Sequence, residues 1–373
     1  MNQLTAALIG SFLMAFFDSL SIPIIPIYAL RLGASQFDLG LIAGFRSIFY
    51  AVFAILLGRL REFLSIRVLM VSFAGYGIVY LSLCLFNISL LQLSILMILL
   101  GVCGSLFWPF VEILLGSPSS STEKLASNFG VSWSGGAIIG SFAAGFALEL
   151  HEFDLVFMLI SIASIIFALT NLSLIMKREK DAEKIGREST SNSGINRGSA
   201  IFSLKWTWLS AYIYASTQGI IFSLFPAYAE LKGIPGLFIG LIVFSIMLGR
   251  TLTFAIFDRI PVKIKDRALE VGIFLILLGS IPIPLTADHR ILLVTSFLLG
   301  LGTGLTYLKA LQMILIRKEG IRFYTGVFEG VIGAGFSTSL LAGFLADLWL
   351  EAPYILILVE CISTLPILMK RKM

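Results

Sequence analysis

The most prominent pattern along the chain is a series of long apolar runs separated by short polar segments. Each run has about 20 residues, the length that an α-helix needs to cross the roughly 30 Å hydrocarbon core of a bilayer. The pattern therefore predicts an all-α membrane protein with twelve spans, numbered one to twelve in chain order. Their predicted bounds are Ala6–Leu30, Phe37–Leu57, Val68–Phe86, Leu90–Leu115, Phe129–Leu150, Leu155–Met176, Trp206–Tyr228, Leu237–Phe257, Ala268–Leu285, Ile291–Ile316, Tyr324–Leu348 and Tyr354–Met369.

The composition agrees with a lipid environment. Hydrophobic residues make up 58% of the chain and charged residues only 13%, against roughly 25% charged residues in a soluble domain. The three cysteines lie inside apolar runs, without the C-x-x-C spacing of a zinc site or the pattern of a disulfide scaffold. The sequence therefore predicts neither a metal nor another cofactor.

The distribution of Lys and Arg between the loops predicts the orientation of the spans. Of the 27 Lys and Arg residues, 21 lie after even-numbered spans or at the C-terminus, and three, Arg31, Lys232 and Arg290, follow odd-numbered spans. By the positive-inside rule, both termini of this multi-pass protein are predicted to be cytoplasmic, with the cell membrane as its location. The net charge of +5 is explained by this topology, so no nucleic-acid partner is predicted.

The longest polar segment divides the chain. It predicts an N-terminal six-helix bundle over residues 1–176, a cytoplasmic linker over residues 177–201 and a C-terminal six-helix bundle over residues 202–373. The linker is charged and then rich in Ser, Asn and Gly, without apolar periodicity. Because it has no phosphate-binding glycine loop, ATP-driven pumping by this chain is not expected.

The two predicted bundles contain an internal repeat at a separation of 200 residues. The segment Pro26–Ile42 aligns with Pro226–Ile242, and the identities include Pro, Tyr and Gly, which apolar composition alone does not produce. Near the ends of the fifth and eleventh spans, AGFALEL (144–150) aligns with AGFLADL (342–348). The sequence therefore predicts two pseudo-symmetric six-helix bundles.

This layout resembles the major facilitator superfamily of secondary transporters over essentially the whole chain. The loop after the second span, GRLREFLSIR, keeps parts of the G-x-x-x-D-R-x-G-R-R motif of that family, and the loop after the eighth span, FAIFDRIPVK, keeps the acid and the arginine. The resemblance implies that these residues form a conformational latch. The candidate latch residues are Gly58, Glu62, Arg67, Glu112, Asp258 and Arg259.

The fifth span partly matches the antiporter pattern of the same family. Gly136, Gly140 and Gly145 occupy three of its glycine positions; small residues at this spacing also serve plain helix packing. The arginine that proton antiporters of the family carry in the fourth span is missing. The glycines favour efflux by antiport, whereas the missing arginine leaves proton symport or facilitated passage of a metabolite or sugar as the alternative.

Seven charged residues lie in the predicted spans at least three residues from either end, where charge is costly and usually faces a cavity or a partner. Asp18 lies midway along the first span, before Pro23 and Pro26, which can bend the helix. Its repeat partner is Gln218, and the resemblance implies that both face a central cavity. We consider two roles for Asp18, a reversible protonation site and a buried acid held by a hydrogen bond to Ser21 or a neighbouring helix.

A second group of candidate residues lies in the C-terminal half. Arg250, Lys309 and Glu329 have similar predicted depths and can form either a structural ion-pair cluster or a positive centre for an anionic substrate. Gln312, one turn from Lys309, is predicted to share that face.

Three further charges complete the set. Glu112 is predicted either to line the cavity or to pair with Arg59 or Arg67 and close the latch, and Arg46 either to line the cavity or to extend its charge towards the membrane surface. Glu360, in the twelfth span, is predicted to serve packing.

The leading hypothesis is a secondary transporter that moves a small organic solute by alternating access, coupled to protons. The candidate substrate and proton-coupling residues are Asp18, Arg46, Gln218, Arg250, Lys309, Gln312 and Glu329. A membrane enzyme is disfavoured because its chemistry needs clustered carboxylates or a nucleophile at the membrane face, and a sensor without transport activity stays open. The expected partners are a small-molecule substrate, protons and lipid, with the protein as a monomer.

Overall fold

The structure is a computed structural model that describes residues 3–59, 66–115, 122–182, 204–316 and 321–370. In these residues the chain forms helices joined by short turns. The helices are α1 (Gln3–Ser21), α2 (Ile24–Arg31), α3 (Gln36–Arg59), α4 (Ile66–Leu85), α5 (Leu90–Leu115), α6 (Thr122–Leu150), α7 (Phe153–Ala182), α8 (Lys205–Leu231), α9 (Gly236–Ile256), α10 (Val262–Asp266), α11 (Ala268–Ser280), α12 (His289–Leu315), α13 (Ile321–Phe336), α14 (Ser339–Leu348) and α15 (Ala352–Met369), with a 3₁₀ turn at Phe257–Arg259.

Ten segments in the described part of the chain are long and apolar enough to cross a membrane. Helices are favoured there because every backbone N–H and C=O must find a partner without water. With α8 and the shorter α11, these segments occupy all twelve predicted span positions. α8 is more polar than the others, and most of its residues from Ala211 to Ala229 are buried. It therefore lies inside the bundle, where its polar side chains are shielded from lipid.

The ninth predicted span, Ala268–Leu285, is shorter in the structure than expected. α11 ends at Ser280, and residues 281–285 form turns. Pro282 and Pro284 explain the early end, because proline has no N–H to continue the helical hydrogen bonds.

The first span is interrupted near its prolines. α1 ends at Ser21 and α2 begins at Ile24, directly after Pro23. The interruption begins three residues after Asp18, so the acid lies close to the break in the helix.

The repeat seen in the sequence has a matching backbone conformation. Gly33 and Gly233 follow the ends of α2 and α8 with φ of +86° and +76°, the left-handed region that glycine adopts without strain. In both turns the N–H after the glycine donates to the carbonyl five residues earlier, Ala34 to Ala29 at 3.0 Å and Ile234 to Ala229 at 2.9 Å. Both helices thus end in the same Schellman motif.

The N-terminal half (α1–α7) and the C-terminal half (α8–α15) meet through two related helix pairs. α3 packs against α13 and α14, and α6 packs against α9. We call the end of the bundle that holds residues 3 and 370 the terminal face, and the other end the opposite face.

At the opposite face each half caps a helix of the other. The Phe37 N–H at the start of α3 donates to Asp347 Oδ1, and the Leu237 N–H at the start of α9 donates to Glu149 Oε2, both at 3.2 Å. Phe37 and Leu237 are repeat partners, and so are Glu149 and Asp347. The two contacts are therefore related by the pseudo-symmetry of the chain.

Glycines allow close approach both within and between the halves. A Cβ at Gly136 would lie 2.8 Å from the Phe12 carbonyl carbon, and one at Gly140 would lie 3.0 Å from the Leu20 nitrogen, so both glycines press α6 against α1. Gly145 instead contacts α9 of the other half, where an added Cβ would lie 3.0 Å from the Leu237 carbonyl oxygen. The glycine pattern of α6 thus has a packing role at each of its three positions.

Candidate functional site

A cavity of about 260 Å³ lies between the two halves. Most of its wall is apolar, and the aromatic residues Trp108, Trp133, Tyr214 and Tyr307 contribute to it. Its ionisable lining residues, apart from tyrosines, are Asp18, Arg46, Arg250 and Glu329.

Asp18 is held by an ion pair within the N-terminal half. Arg46 Nη2 on α3 lies 2.8 Å from Asp18 Oδ1, and the two side chains keep 30% and 20% of their exposure. The Tyr76 hydroxyl on α4 donates to the same oxygen at 3.2 Å. Ser21 donates to the backbone carbonyl of Asp18 and leaves the carboxylate free for these partners. Asp18 therefore has its charge balanced at the cavity wall, and the arginine faces the cavity.

Arg250 carries a charge that no carboxylate balances among the described residues. Its side chain is 3% exposed, and its guanidinium carbon lies 4.1 Å from the centre of the Trp133 ring across the interface between the halves. Nη1 lies 3.5 Å from Gln218 Oε1, Nη2 lies 2.7 Å from Met247 Sδ, and Nε has no hydrogen-bond partner. This site has donors left over and is suited to an anion.

Glu112 and Glu329 meet across the interface between the halves. Glu112 on α5 is fully buried and Glu329 on α13 is 4% exposed. The Tyr307 hydroxyl donates to Glu112 Oε1 at 3.4 Å, the Tyr50 hydroxyl donates to Glu329 Oε2, and the two carboxyl groups lie close enough to interact with each other. The predicted cluster of Glu329 with Arg250 and Lys309 does not form, because Glu329 turns to Tyr50 and Glu112 instead.

The remaining predicted residues lie outside this cavity. Lys309 is half-buried on α12, and Gln312 is buried, with its Nε2 lacking a partner in the described part of the chain. Gln218 is buried behind the cavity and reaches it through Arg250. Glu360 is half-buried on α15, away from the lining.

The structure describes only part of the predicted latch. Gly58 lies at the end of α3, Arg67 is exposed at the start of α4, and Asp258 and Arg259 are exposed in the 3₁₀ turn. Glu62 and the side chain of Arg59 fall outside the described residues. Glu112 faces Tyr307 and Glu329, which the latch hypothesis did not foresee.

Comparison with known proteins identifies the family. The family model of the Major Facilitator Superfamily matches residues 7–339. The chain belongs to the major facilitator superfamily. It is a secondary transporter for a small-molecule substrate and not an enzyme, and the cavity described above lies where the two halves of this superfamily member meet.

The fold is also similar to that of one solved superfamily transporter. The crystal structure of the human organic anion transporter MFSD10 (TETRAN) superimposes with a TM-score of 0.66 at 14% identity, over 96% of this chain and 98% of that chain. At this identity the likeness shows the fold alone. No curated protein has a sequence that matches this chain.

Sequence reasoning missed the tyrosines that complete the site of this superfamily member. Tyr50 is the repeat partner of Arg250, and Tyr76 and Tyr80 stand one helical turn apart on α4. The Tyr80 hydroxyl donates to Ser21 at 2.8 Å. The repeat was thus a usable signal for Tyr50.

Proposed function

We propose that the protein moves a small organic anion across the membrane by alternating access, in a proton-coupled cycle. Arg250 carries this proposal, because its buried guanidinium lines the cavity without a carboxylate partner among the described residues. A charge at membrane depth is costly unless a partner balances it. An anionic group of the substrate supplies that partner during each cycle.

The walls of the cavity define the rest of the substrate. Trp108, Trp133, Tyr214 and Tyr307 present ring surfaces next to Arg250. Such walls fit an apolar or aromatic body that carries one anionic group, since ring contacts add to area burial. The description of MFSD10 as an organic anion transporter supports the same class.

Two coupling directions follow from different observations. Efflux in exchange for protons rests on the glycine pattern of α6. Proton symport is favoured by the placement of Arg250 and Glu329 on one cavity, because an anion that neutralises Arg250 makes a proton on a nearby carboxylate more favourable. In either case, we propose that the protein is a monomer in the cell membrane with both termini in the cytoplasm.

The proposal is tested by flux in proteoliposomes. The probe is a fluorescent aryl carboxylate, and its uncharged methyl ester serves as a competitor. Arg250→Gln should lower carboxylate flux at least tenfold, because one charge-assisted bond contributes about 1.5–3 kcal/mol, and Arg250→Lys should retain part of it. The melting temperature of Arg250→Gln should not fall, because the substitution removes an unbalanced buried charge. A melting temperature equal to that of the wild type shows that lost flux does not come from lost fold.

Matched controls make the outcome decisive. Lys232→Gln removes a cation from the opposite face, away from the cavity, and should transport as the wild type does. Carboxylate flux that is equal in wild type and Arg250→Gln, or strong competition by the ester, contradicts the anion site. Opposite pH gradients distinguish the two coupling directions. An acidic outside drives uptake of the carboxylate by proton symport and retards its uptake by proton antiport.

A further inference from the structure

We propose that Glu112 and Glu329 share one proton and together form the coupling site of the transporter. The proposal rests on the proton-coupled transport proposed above and assigns its proton to a specific pair. It replaces Asp18, the acid that the sequence favoured, with two acids that come from different halves of the chain.

The first observation is the composition of the pair's surroundings. Each carboxyl group receives one tyrosine hydroxyl, from Tyr307 to Glu112 and from Tyr50 to Glu329. The remaining oxygen of Glu112, Oε2, is buried and has no N–H or O–H donor in the described part of the chain. The neighbouring acid is then the group that can supply a proton to it.

The second observation is the absence of a balancing cation among the described neighbours. The titratable groups that interact with the pair are Tyr50 of α3, Tyr214 of α8 and Tyr307 of α12, and Arg250 of α9 lies next to Tyr214 and Tyr307. Arg46 is bound to Asp18, and the Arg250 guanidinium lies on Trp133. Neither Lys309 nor any other described cation forms an ion pair with either acid.

These surroundings dictate how the pair holds charge. Two adjacent carboxylates out of water repel strongly when both are ionised, and one proton converts the pair into an O–H···O⁻ hydrogen bond. The protonated partner donates and the ionised partner accepts, so the pair keeps a single negative charge. Tyr50 and Tyr307 stabilise that charge from either side.

The position of the pair connects the proton to the conformational cycle. Glu112 belongs to the N-terminal half and Glu329 to the C-terminal half, and Glu329 also lines the substrate cavity. The shared proton therefore joins the two halves. When it leaves, two like charges face each other across the interface, and the halves are driven apart at this point.

The first experiment detects the protonated carboxyl group directly and does not depend on transport. Infrared spectra of the purified full-length protein near neutral pH should contain the C=O band of a buried protonated carboxyl group. Glu112→Gln with Glu329→Gln should remove this band, and Asp18→Asn, the matched acid control, should keep it. A wild type without the band, or a band that survives in the double variant, overturns the proposal.

The second experiment measures the coupling of carboxylate flux to the proton gradient. In proteoliposomes with the aryl carboxylate, a pH gradient should stimulate wild-type flux, whereas Glu329→Gln should lose at least nine-tenths of that stimulation, expressed as the ratio of flux with and without the gradient. Stimulation that persists in Glu329→Gln and disappears in Asp18→Asn assigns the coupling to Asp18 and contradicts the proposal. A wild type without carboxylate flux but with the infrared band contradicts the transport function alone, so the two failures are distinguishable.

Discussion

The buried charges inside one half of the molecule differ from those between the halves. Asp18, Arg46 and Tyr76 all belong to the N-terminal half and form a balanced ion pair with a hydroxyl donor. Between the halves, Glu112 meets another acid, Glu329, and Arg250 rests on a tryptophan ring.

This difference can be explained by the movement of the two halves during transport. Contacts within a half persist while the two halves move, so they can be strong without slowing the cycle. Contacts between the halves must form and break in every cycle of alternating access. A proton or a substrate anion supplies the missing partner at the interface, and its arrival or departure shifts the balance between states.

The largest expected effect comes from breaking the pair inside the N-terminal half. Arg46→Gln leaves Asp18 without a cation and should lower the free energy of unfolding by about 3 kcal/mol, the lower end for buried pairs because the pair is partly exposed. Thermal unfolding in detergent measures it.

Two matched variants test whether the loss of stability in Arg46→Gln comes from an unbalanced charge. Adding Asp18→Asn to Arg46→Gln should recover at least half of the lost stability, since no unbalanced charge remains. Glu329→Gln should cost less than about 1 kcal/mol, because its amide oxygen still accepts from Tyr50. Equal losses in Arg46→Gln and Glu329→Gln would show that the two regions do not differ as described.

A smaller effect is expected from preventing close approach of the halves at the opposite face. A Cβ at Gly40 would lie 2.8 Å from the Gly343 Cα and 2.5 Å from the Ser339 carbonyl oxygen, so Gly40→Ala must push α3 away from α14. Overpacking of this kind costs about 1–3 kcal/mol. It should lower several-fold the chemical cross-linking of cysteines placed at Phe37 and Phe344, whose rings lie 6.4 Å apart.

Gly135→Ala is the control for this substitution. A Cβ at Gly135 would approach no neighbouring atom closer than 3.8 Å, and the nearest one belongs to a flexible Phe12 side chain. Its cross-linking yield should match that of the parent protein. An unchanged yield in Gly40→Ala contradicts a tight contact between the halves at this face.

The smallest effect concerns an ion pair inside the C-terminal half that is open to solvent. Lys232 Nζ lies 2.6 Å from Glu351 Oε1. This hydrogen bond lowers the pKa of the Glu351 carboxyl and raises the pKa of the Lys232 ammonium group. Because solvent screens the pair, Glu351→Gln should lower the free energy of unfolding by about 0.5 kcal/mol at neutral pH.

The sign of the pH dependence checks this assignment. The contribution of Glu351 is present above the unfolded pKa of about 4.3 and is lost as the pH falls below it, and that of Lys232 is lost as the pH rises past about 10.4. The difference in melting temperature between wild type and Glu351→Gln should therefore shrink towards pH 3.5. A difference that grows in acid would contradict the pair.

Much of the fold could be predicted from the sequence because lipid imposes simple rules. A bilayer requires helices of a given length, so apolar runs located the spans to within a few residues at most ends. The repeat predicted two related halves, and its Gly33 and Gly233 form the same turn. The early end of α11 was missed because Pro282 and Pro284 lie in a run that is otherwise apolar.

The candidate site was predicted by residue type but not by pairing. The cost of charge in a bilayer marked Asp18, Arg250 and Glu329 as functional candidates, and the structure places all three at one cavity. Their partners were beyond the sequence. Whether an acid meets Arg46 or another acid depends on which faces of distant helices touch.

The sequence by itself thus determined the membrane environment, the number of spans and the identity of the buried charges, because each follows from local composition and length. Only the tertiary structure decided that Asp18 is balanced within one half, that Glu112 and Glu329 meet across two halves, and that Arg250 lacks a carboxylate partner among the described residues. These outcomes depend on the rotation and register of helices more than a hundred residues apart, and apolar side chains that face lipid or each other carry little information about either.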